Sequence, residues 1–297
     1  MKIHYLGPRL TWSELAAETL AMKITENPAE LSQLKSVEAA ARKVVGGSDL
    51  GVIAYYNYLE GLVQECLDST YEKNLRIVDA QRIKIVHTLG KYHGSEDYSK
   101  IYSHPKALAQ CSEYLWIWYK NSWQITTAST TSAIPKIKEE KKGLVIARKE
   151  AIAEAGLKVI AEDIGNKKND VQNYTDFYLV SDEKMEREYE TKYTKGNKYL
   201  TMVAITPHTD KVGLLADIVG QIAYHGLNNA KIHSRPAIAN VKLNGTNEPQ
   251  MFYLEIEAHQ DSIDLQKCID ALKYKLTPKG TDAEVVRVLG TYKKPSL

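Results

Sequence analysis

The sequence predicts an α/β fold in two parts. Residues 3–181 alternate short apolar runs with segments of helical periodicity. That order argues for strands packed beneath crossover helices. Residues 199–290 read strand, helix, strand, strand, helix, strand, the βαββαβ order of a ferredoxin-like domain. Between them, residues 182–198 hold four Lys, five Asp or Glu and one Arg without apolar periodicity, which reads as a charged linker.

Residues 3–6 form the first candidate strand. Thr11, with Glu14 three residues on, makes a capping box for the next helix, whose inner face carries Leu15, Ala16, Leu20 and Ala21. Residues 37–45 read as a second helix, stopped by Gly46 and Gly47. An apolar strand follows at 51–54. Leu62, Val63, Cys66 and Leu67 then recur at helical spacing. Residues 77–89 read as one extended run in which Ile83, Ile85 and His87 alternate. Beyond it come strand 101–103, helix 105–119, strand 123–128, a helix from 130, strand 143–147, helix 148–155, and strands 158–161 and 177–180. The alternation predicts mostly parallel sheets. In the second part, strands 199–206, 228–234, 251–258 and 283–290 accompany helices 213–225 and 262–276.

The run Ser103-His104-Pro105-Lys106-Ala107-Leu108-Ala109-Gln110-Cys111 joins a strand to a helix. Pro105 suits a first helical turn, where its missing N–H costs nothing. Ala107, Leu108, Cys111, Leu115 and Trp118 share one helical face. The free N–H groups at such a helix start suit a carboxylate or phosphate. On the residues alone, the simpler reading is an ordinary βα turn that His104 merely caps.

Composition narrows the classes. Of 297 residues, 43% are hydrophobic and 26% charged, ordinary for a globular chain. The 39 basic and 37 acidic residues leave a formal charge of +2, which gives nucleic acid or an anionic membrane no purchase. The lysines of 136–142 are interleaved with Glu139 and Glu140 and read as a solvated helix end. Three dispersed cysteines suit buried thiols in a reducing compartment. With no CxxC or HExxH spacing, neither a metal nor another cofactor is expected. No signal-peptide pattern and no run of 18 apolar residues occurs, so a cytoplasmic protein without a membrane span is expected.

The nine-residue run resembles the Ser-His-Pro-Gln-Ala-Leu-Ala-Gln-Cys signature of prephenate dehydratases, with Lys106 in place of Gln. Other family landmarks follow in order. Gly7, Pro8, Thr11, Ser13 and Ala16 resemble its Leu-Gly-Pro-x-Gly-Thr-x-Ser run. Asn57, Leu59, Glu60 and Gly61 resemble its Glu-Asn-Ser-x-Glu-Gly segment. His87 and Leu89 resemble its Ile-x-His-x-Leu strand, and Ser129 and Thr130 its Ser-Thr-Ala turn. Asn173, Thr175 and Phe177 resemble its Asn-x-Thr-Arg-Phe motif. The resemblance covers residues 3–181. A second one, to the ACT regulatory domain, covers about 199–290 through Gly213-Leu214-Leu215-Ala216, Asn228 and His233-Ser234-Arg235-Pro236.

The resemblance implies two α/β lobes like a type II periplasmic binding protein, 1–80 with 158–181 and 82–157, and an ACT domain over 199–297. It implies a dicarboxylate substrate, prephenate, in the interlobe cleft, losing water and CO2 to give phenylpyruvate. Thr175, Asn57 and Tyr56 are the implied catalytic positions. Ser103, His104, Ala107, Ser129, Thr130, Thr11, Asn173 and Phe177 are the implied substrate contacts. Gly213, Leu214, Leu215 and Asn228 are the implied effector site for phenylalanine, in a homodimer or homotetramer.

Three exchanges depart from the family pattern. Tyr56 replaces a Glu, Asp176 replaces an Arg, and His233 replaces the Glu of Glu-Ser-Arg-Pro. In a cleft built for a dianion, a carboxylate about 4 Å away costs about 4 kcal/mol at an effective dielectric near 20. Asp176 therefore either points away or marks a different ligand or protonation state. Arg9 and Leu10 for Glu-Gly, and Pro135, are further changes. Two alternatives stay open: a prephenate decarboxylase or related lyase that does not aromatise, as in the bacilysin pathway, and a non-catalytic sensor of aromatic amino acids. Alternation places Tyr56 and Tyr58 on one side of their strand and Tyr55 on the other.

Overall fold

A computed structural model describes residues 1–24, 29–167, 172–183, 198–207, 211–236 and 250–295. Residues 184–197, most of the charged linker, lie outside the described residues.

The chain opens with β1 (Lys2–Leu6), α1 (Trp12–Ile24), β2 (Glu30–Leu34), α2 (Val37–Val44), β3 (Leu50–Asn57), β4 (Gly61–Leu62), α3 (Gln64–Glu72) and β5 (Arg76–Lys84). Ser36 caps α2 by accepting from Ala39 N at 3.1 Å. Val37, Ala40, Ala41 and Val44 then bury one helical stripe. β2, Glu-Leu-Ser-Gln-Leu, has no place in the sequence reading. It is a polar edge strand held by parallel pairing to β1.

The extended run 77–89 is two strands in two different sheets. β5 ends at Lys84, and β6 (Thr88–Lys91) begins the second lobe. That lobe continues with β7 (Lys100–Ser103), α4 (Pro105–Gln110), α5 (Ser112–Tyr119), β8 (Trp123–Thr126), α6 (Ala133–Glu140), β9 (Leu144–Ala147), α7 (Lys149–Glu154) and β10 (Lys158–Ala161). The expected helix 105–119 breaks at Cys111, whose φ and ψ are −111° and 8°. The break turns Trp118 outward, to 68% exposure, and Tyr119 packs inward beyond Leu115 instead.

β11 (Tyr174–Ser181) returns to the first lobe and pairs antiparallel between β3 and β5. The first sheet has the order β2-β1-β3-β11-β5, the second β10-β6-β9-β7-β8. Both are mixed rather than mostly parallel, because strands entering from the crossing segments run against the others. β10 pairs with β6, so residues 158–161 belong to the second lobe, not the first as expected.

The last part holds β12 (Tyr199–Ile205), α8 (Leu214–Tyr224), β13 (Asn229–Pro236), β14 (Gln250–Ile256), α9 (Ile263–Leu276) and β15 (Val286–Lys293). Its sheet runs β13-β14-β12-β15, all antiparallel, the ferredoxin-like arrangement. One face packs under α8 and α9 through Val203, Ile218, Leu254, Leu265 and Leu272. The other face packs on the first lobe, where Met202, Tyr253 and Leu289 share one core with Leu67, Ile77 and Tyr178. Each fully buried Leu or Ile there contributes about 1.5–3 kcal/mol. At Gly290, φ 131°, an added Cβ would lie 2.2 Å from the Ile77 carbonyl oxygen, so β15 can lie on β5 only with glycine there.

Candidate active site

A cleft of about 690 Å³ lies between the two lobes. The first lobe contributes the loop beyond β1, with Gly7, Pro8, Thr11, Trp12 and Ser13, and Lys35 beyond β2. The second lobe contributes the turns beyond β7 and β8, with His104, Lys106, Ala107, Gln110, Ser129 and Thr130. β7 and β8 are adjacent and parallel, Ser103 opposite Thr126. Both turns therefore leave the sheet at one end and share one rim. The floor holds Asn57, Thr175, Phe177, Ile85 and His87, from the strand ends and the crossing segment where the lobes meet.

Asn57 is the hub of the floor. Its side-chain Oδ1 accepts from Leu59 N and Glu60 N, both at 3.0 Å, which fixes which way the amide faces. Its Nδ2 therefore donates, to Asn173 Oδ1 at 2.8 Å and to Thr175 Oγ1 at 2.9 Å. The Thr175 oxygen is thus an acceptor toward Asn57, and its own hydrogen is left for an acceptor in the cleft. A second chain converges from the other lobe. Gln110 Oε1 accepts from Asn173 Nδ2 at 3.0 Å and lies 2.7 Å from His87 Nε2. Because that Gln110 oxygen only accepts, His87 carries its proton on Nε2 and leaves Nδ1 bare; Nδ1 is buried without a partner. Burial pushes the His87 pKa below its ordinary value. Gln110 Nε2 donates in turn to Glu60 Oε1.

The lobes also meet at the rim. Lys106 Nζ lies 2.9 Å from Glu60 Oε2. Arg148 Nη1 donates to the Thr11 carbonyl at 2.9 Å, and its guanidinium sits 5.0 Å from the centre of the Trp12 ring. Lys35 and Lys106 put two cations on the cleft wall against the one carboxylate of Glu60. Among the described residues, no group of three or more His, Cys, Asp or Glu is placed to hold a metal ion.

Of the expected site residues, Thr175, Asn57, His104, Ala107, Ser129, Thr130, Thr11 and Phe177 line the cleft. Asn173 lies one layer behind, joining Asn57 to Gln110. Ser103 does not line it: the side chain is fully buried and donates to the Ile146 carbonyl at 2.7 Å. His104 also fills the capping role, accepting from Lys106 N at 3.2 Å. Ser129 N donates to Ser132 Oγ at 2.8 Å, so this turn offers hydroxyls rather than that N–H.

Tyr56 faces away from the site, because it neighbours Asn57 on β3, and a β-bulge turns Tyr55 to the same side. Thr175 pairs with Asn57 and Asp176 with Tyr56, but Phe177 pairs with Ala54. Tyr55 is the extra residue. Ala54 and Asn57 face the cleft, while Tyr55, Tyr56 and Tyr58 all gather around Lys231 of β13, at 5.1, 4.4 and 5.8 Å from its Nζ to the ring centres. The expected split of Tyr55 from the other two ignores that inserted residue. Asp176 faces the same way. It pairs with Arg82 Nε at 2.7 Å and is 3.8 Å from Lys231 Nζ, and Tyr58 Oη donates to it at 3.2 Å. His233 lies here too, 5.9 Å from the Tyr56 ring centre to centre. All three exchanged positions therefore stand together behind the sheet, and no added carboxylate enters the cleft.

In the last domain, Gly213 opens α8 with φ 84°. Leu214 is buried and Leu215 exposed. Asn228 precedes β13; its carbonyl accepts from Glu257 N at 2.9 Å. Hydrogen bonds from Lys294 and the Asn228 side chain hold the Glu257 carboxyl below its usual range.

Gln110 and Glu60 are functional candidates that the sequence reading quoted within motifs without assigning a role. Lys35 has no signal in the sequence beyond its charge.

A family model described as prephenate dehydratase matches residues 3–185. A prephenate dehydratase of Bacillus subtilis (strain 168) is 30% identical over 245 residues, covering 80% of this chain and 83% of that protein. A bifunctional chorismate mutase/prephenate dehydratase of Aquifex aeolicus (strain VF5) is 26% identical over 299 residues, covering 100% of this chain and 75% of that one. Among solved structures, a prephenate dehydratase from Arthrobacter aurescens in complex with L-Phe superposes with a TM-score of 0.79 at 24% identity, covering 99% of this chain and 90% of that one.

Proposed function

The chain belongs to the prephenate dehydratase family, and from that premise we propose that it converts prephenate to phenylpyruvate, water and CO2. The observation that carries the reading is the Thr175 hydroxyl, held on the cleft floor by Asn57 with its hydrogen directed to solvent or ligand. Prephenate bears a ring carboxylate, a pyruvyl carboxylate and a hydroxyl at ring C4. The C1–carboxylate bond breaks, and its electron pair becomes a ring double bond. The C4–O bond breaks in the same sense, and the departing oxygen takes one proton from solvent to leave as water. Thr175 hydrogen-bonds that oxygen as charge builds on it. Lys35 and the hydroxyls of Ser129 and Thr130 hold the carboxylates. His87, neutral, leaves the floor without a charge.

Tyr56 and Asp176 were the exchanges that favoured a non-aromatising decarboxylase. Both lie behind the sheet, so neither changes the groups that the cleft floor presents. Incubation with prephenate and identification of the product by mass tests this. Phenylpyruvate formation that is lost in Thr175→Ala supports it. A non-aromatic dihydro product would make the chain a decarboxylase, and tight binding without turnover a sensor.

The same premise extends to the last domain, read as an ACT domain that binds phenylalanine between Gly213 and Asn228 and pairs with a second copy. The related Arthrobacter protein was solved with L-Phe. The edge strand β13 and the exposed Leu215 and Val219 of α8 offer a pairing surface. Calorimetry with phenylalanine, on the wild type and on Asn228→Ala, tests the effector. Among the described residues no helix is long and apolar enough to cross a membrane.

A further inference from the structure

Lys231 stands in the last domain, yet everything its ammonium touches, Glu255 apart, belongs to the first lobe. Its Nζ lies over the rings of Tyr56 and Tyr58, the residues on either side of Asn57. It lies 3.8 Å from an oxygen of Asp176, the residue after Thr175. Asn57 and Thr175 are the hydrogen-bonded pair on the cleft floor. One cation thus grips three of the four residues flanking that pair, from the opposite side of the sheet.

The grip matters because the pairing of β3 with β11 is interrupted at this point. The bulge between Asp176 and Phe177 interrupts the ladder immediately beside the pair, and a bulge re-aims the side chains around it. Toward β3 the junction fixes the strand ends, while the ladder from β11 to β5 runs unbroken past Thr175 and Asp176. Arg82 holds Asp176 from β5 at 2.7 Å, Tyr58 donates to Asp176, and Lys231 closes the set against Glu255 at 3.4 Å. Two cations face two carboxylates, all largely out of solvent, and the rings of Tyr56 and Tyr58 add cation–π attraction.

We infer that Lys231 is a positioning residue for the reaction, supplied by the C-terminal domain and acting through Asp176, Tyr56 and Tyr58 on the Asn57–Thr175 pair. This rests on the reading of Thr175 as the group that engages the leaving hydroxyl. The catalytic lobes alone then form an incomplete site. Tyr56 and Asp176, two exchanges that look like damage to an active site, instead build the socket for Lys231.

The test is steady-state kinetics on the full chain with prephenate. Lys231→Met keeps the apolar stem and removes the charge. Its kcat should fall about tenfold or more while KM stays within about twofold, because orientation is lost and binding is not. Lys231→Arg should restore most of kcat. Since Lys231→Met leaves Glu255 unpaired and can fail to fold, Lys231→Met with Glu255→Gln removes one charge of each sign and keeps the junction neutral. The same loss of kcat is expected there. Wild-type kcat in a folded, charge-balanced variant would overturn the inference and leave Lys231 a stability role only. Hydrogen exchange reads the coupling without turnover. The balanced variant should exchange faster in segments 56–60 and 173–177 than the wild type, and unchanged exchange there would overturn it. If the wild type does not turn over prephenate, the functional reading fails alone, and the exchange result still decides this one.

Discussion

The two faces of β11 have different histories. Thr175 and Phe177 point into the cleft and keep the residue types of the family motif. Asp176 and Tyr178 point into the domain junction, where Asp176 meets Arg82 and Tyr178 stacks on Tyr55 with ring centres 4.2 Å apart. A motif is written as consecutive letters, but a strand delivers alternate letters to opposite faces. An exchange inside a catalytic motif therefore changes the chemistry only if it has the right parity. Here the exchanged letters at 56, 176 and 233 meet at one junction, and the cleft floor keeps its set.

The sharpest way to break that contrast is to truncate neighbours on β11. Thr175→Ala should lower turnover by about 10²–10³-fold, the usual worth of one hydrogen-bond donor aimed at developing charge. It should cost only about 1 kcal/mol of stability, one hydrogen bond. Asp176→Ala should show the reverse weighting. It leaves Arg82 and Lys231 without their shared carboxylate, and stripping one partner from a buried ion pair costs about 3–5 kcal/mol. Urea unfolding beside kcat reads both. An Asp176→Ala protein as stable as the wild type would mean that the junction charges are not coupled as the distances imply.

Restoring the family letters sharpens it further. Asp176→Arg would set a third cation beside Arg82 and Lys231. The variant should be the least stable of the set, and Tyr56→Glu added to it should recover part of the loss by returning an anion. Recovery of activity is not the expectation, since neither side chain reaches the cleft. A single Asp176→Arg variant with wild-type stability would show that the junction has room to rearrange.

Much of the cleft was legible because the motifs quote it. Asn57, Thr175, His104 and Ser129 stand where the resemblance put them. Gln110 and Glu60 were equally legible, as letters in the same motifs, but their role needs the partner lobe to be in place. The failures are geometric. Alternation set Tyr55 apart from Tyr56 and Tyr58, without the bulge that turns it to their side. The run 77–89 read as one strand because strand periodicity continues through Ile85 and His87, although the chain passes there from one sheet to the other. Trp118 read as core because helical spacing was carried across the break at Cys111. β2 was invisible, since an edge strand held by backbone pairing needs no apolar alternation. The junction could not be read at all: it joins residues 56, 82, 176, 231 and 255, and no local pattern links them.

The two regions also divide the acid response. Burial holds both His87, in the cleft, and His233, in the junction, below the ordinary imidazole value of 6.5. As the pH falls below 6.5 the unfolded chain takes up these protons before the folded one does. Stability should therefore decline from 6.5 downward, and level off only where the folded imidazoles protonate. His87, 4% exposed, should contribute the larger share. Unfolding free energy measured between pH 5 and 7.5 should flatten more in His87→Gln than in His233→Gln. An equal or reversed order would place the more strongly desolvated imidazole in the junction.

The smallest expected effect belongs to the rim, where Lys106 replaces the family's Gln. Its ammonium reaches across the cleft mouth to Glu60 at 2.9 Å, but the lysine side chain is 63% exposed. Exposed pairs of this kind contribute about 0–1 kcal/mol. Lys106→Gln should therefore change KM for prephenate by less than about fivefold and leave kcat alone. The difference should shrink further as salt rises above about 0.15 M, where charges more than about 8 Å apart are screened. The floor is insulated from the exchange, because Gln110 still bonds Glu60, Asn173 and His87. A KM raised a hundredfold, with kcat intact, would give Lys106 a different standing. It would then release Glu60 on binding and hold a substrate carboxylate directly, and the rim, unlike the floor, would be a place where this chain has rebuilt its site.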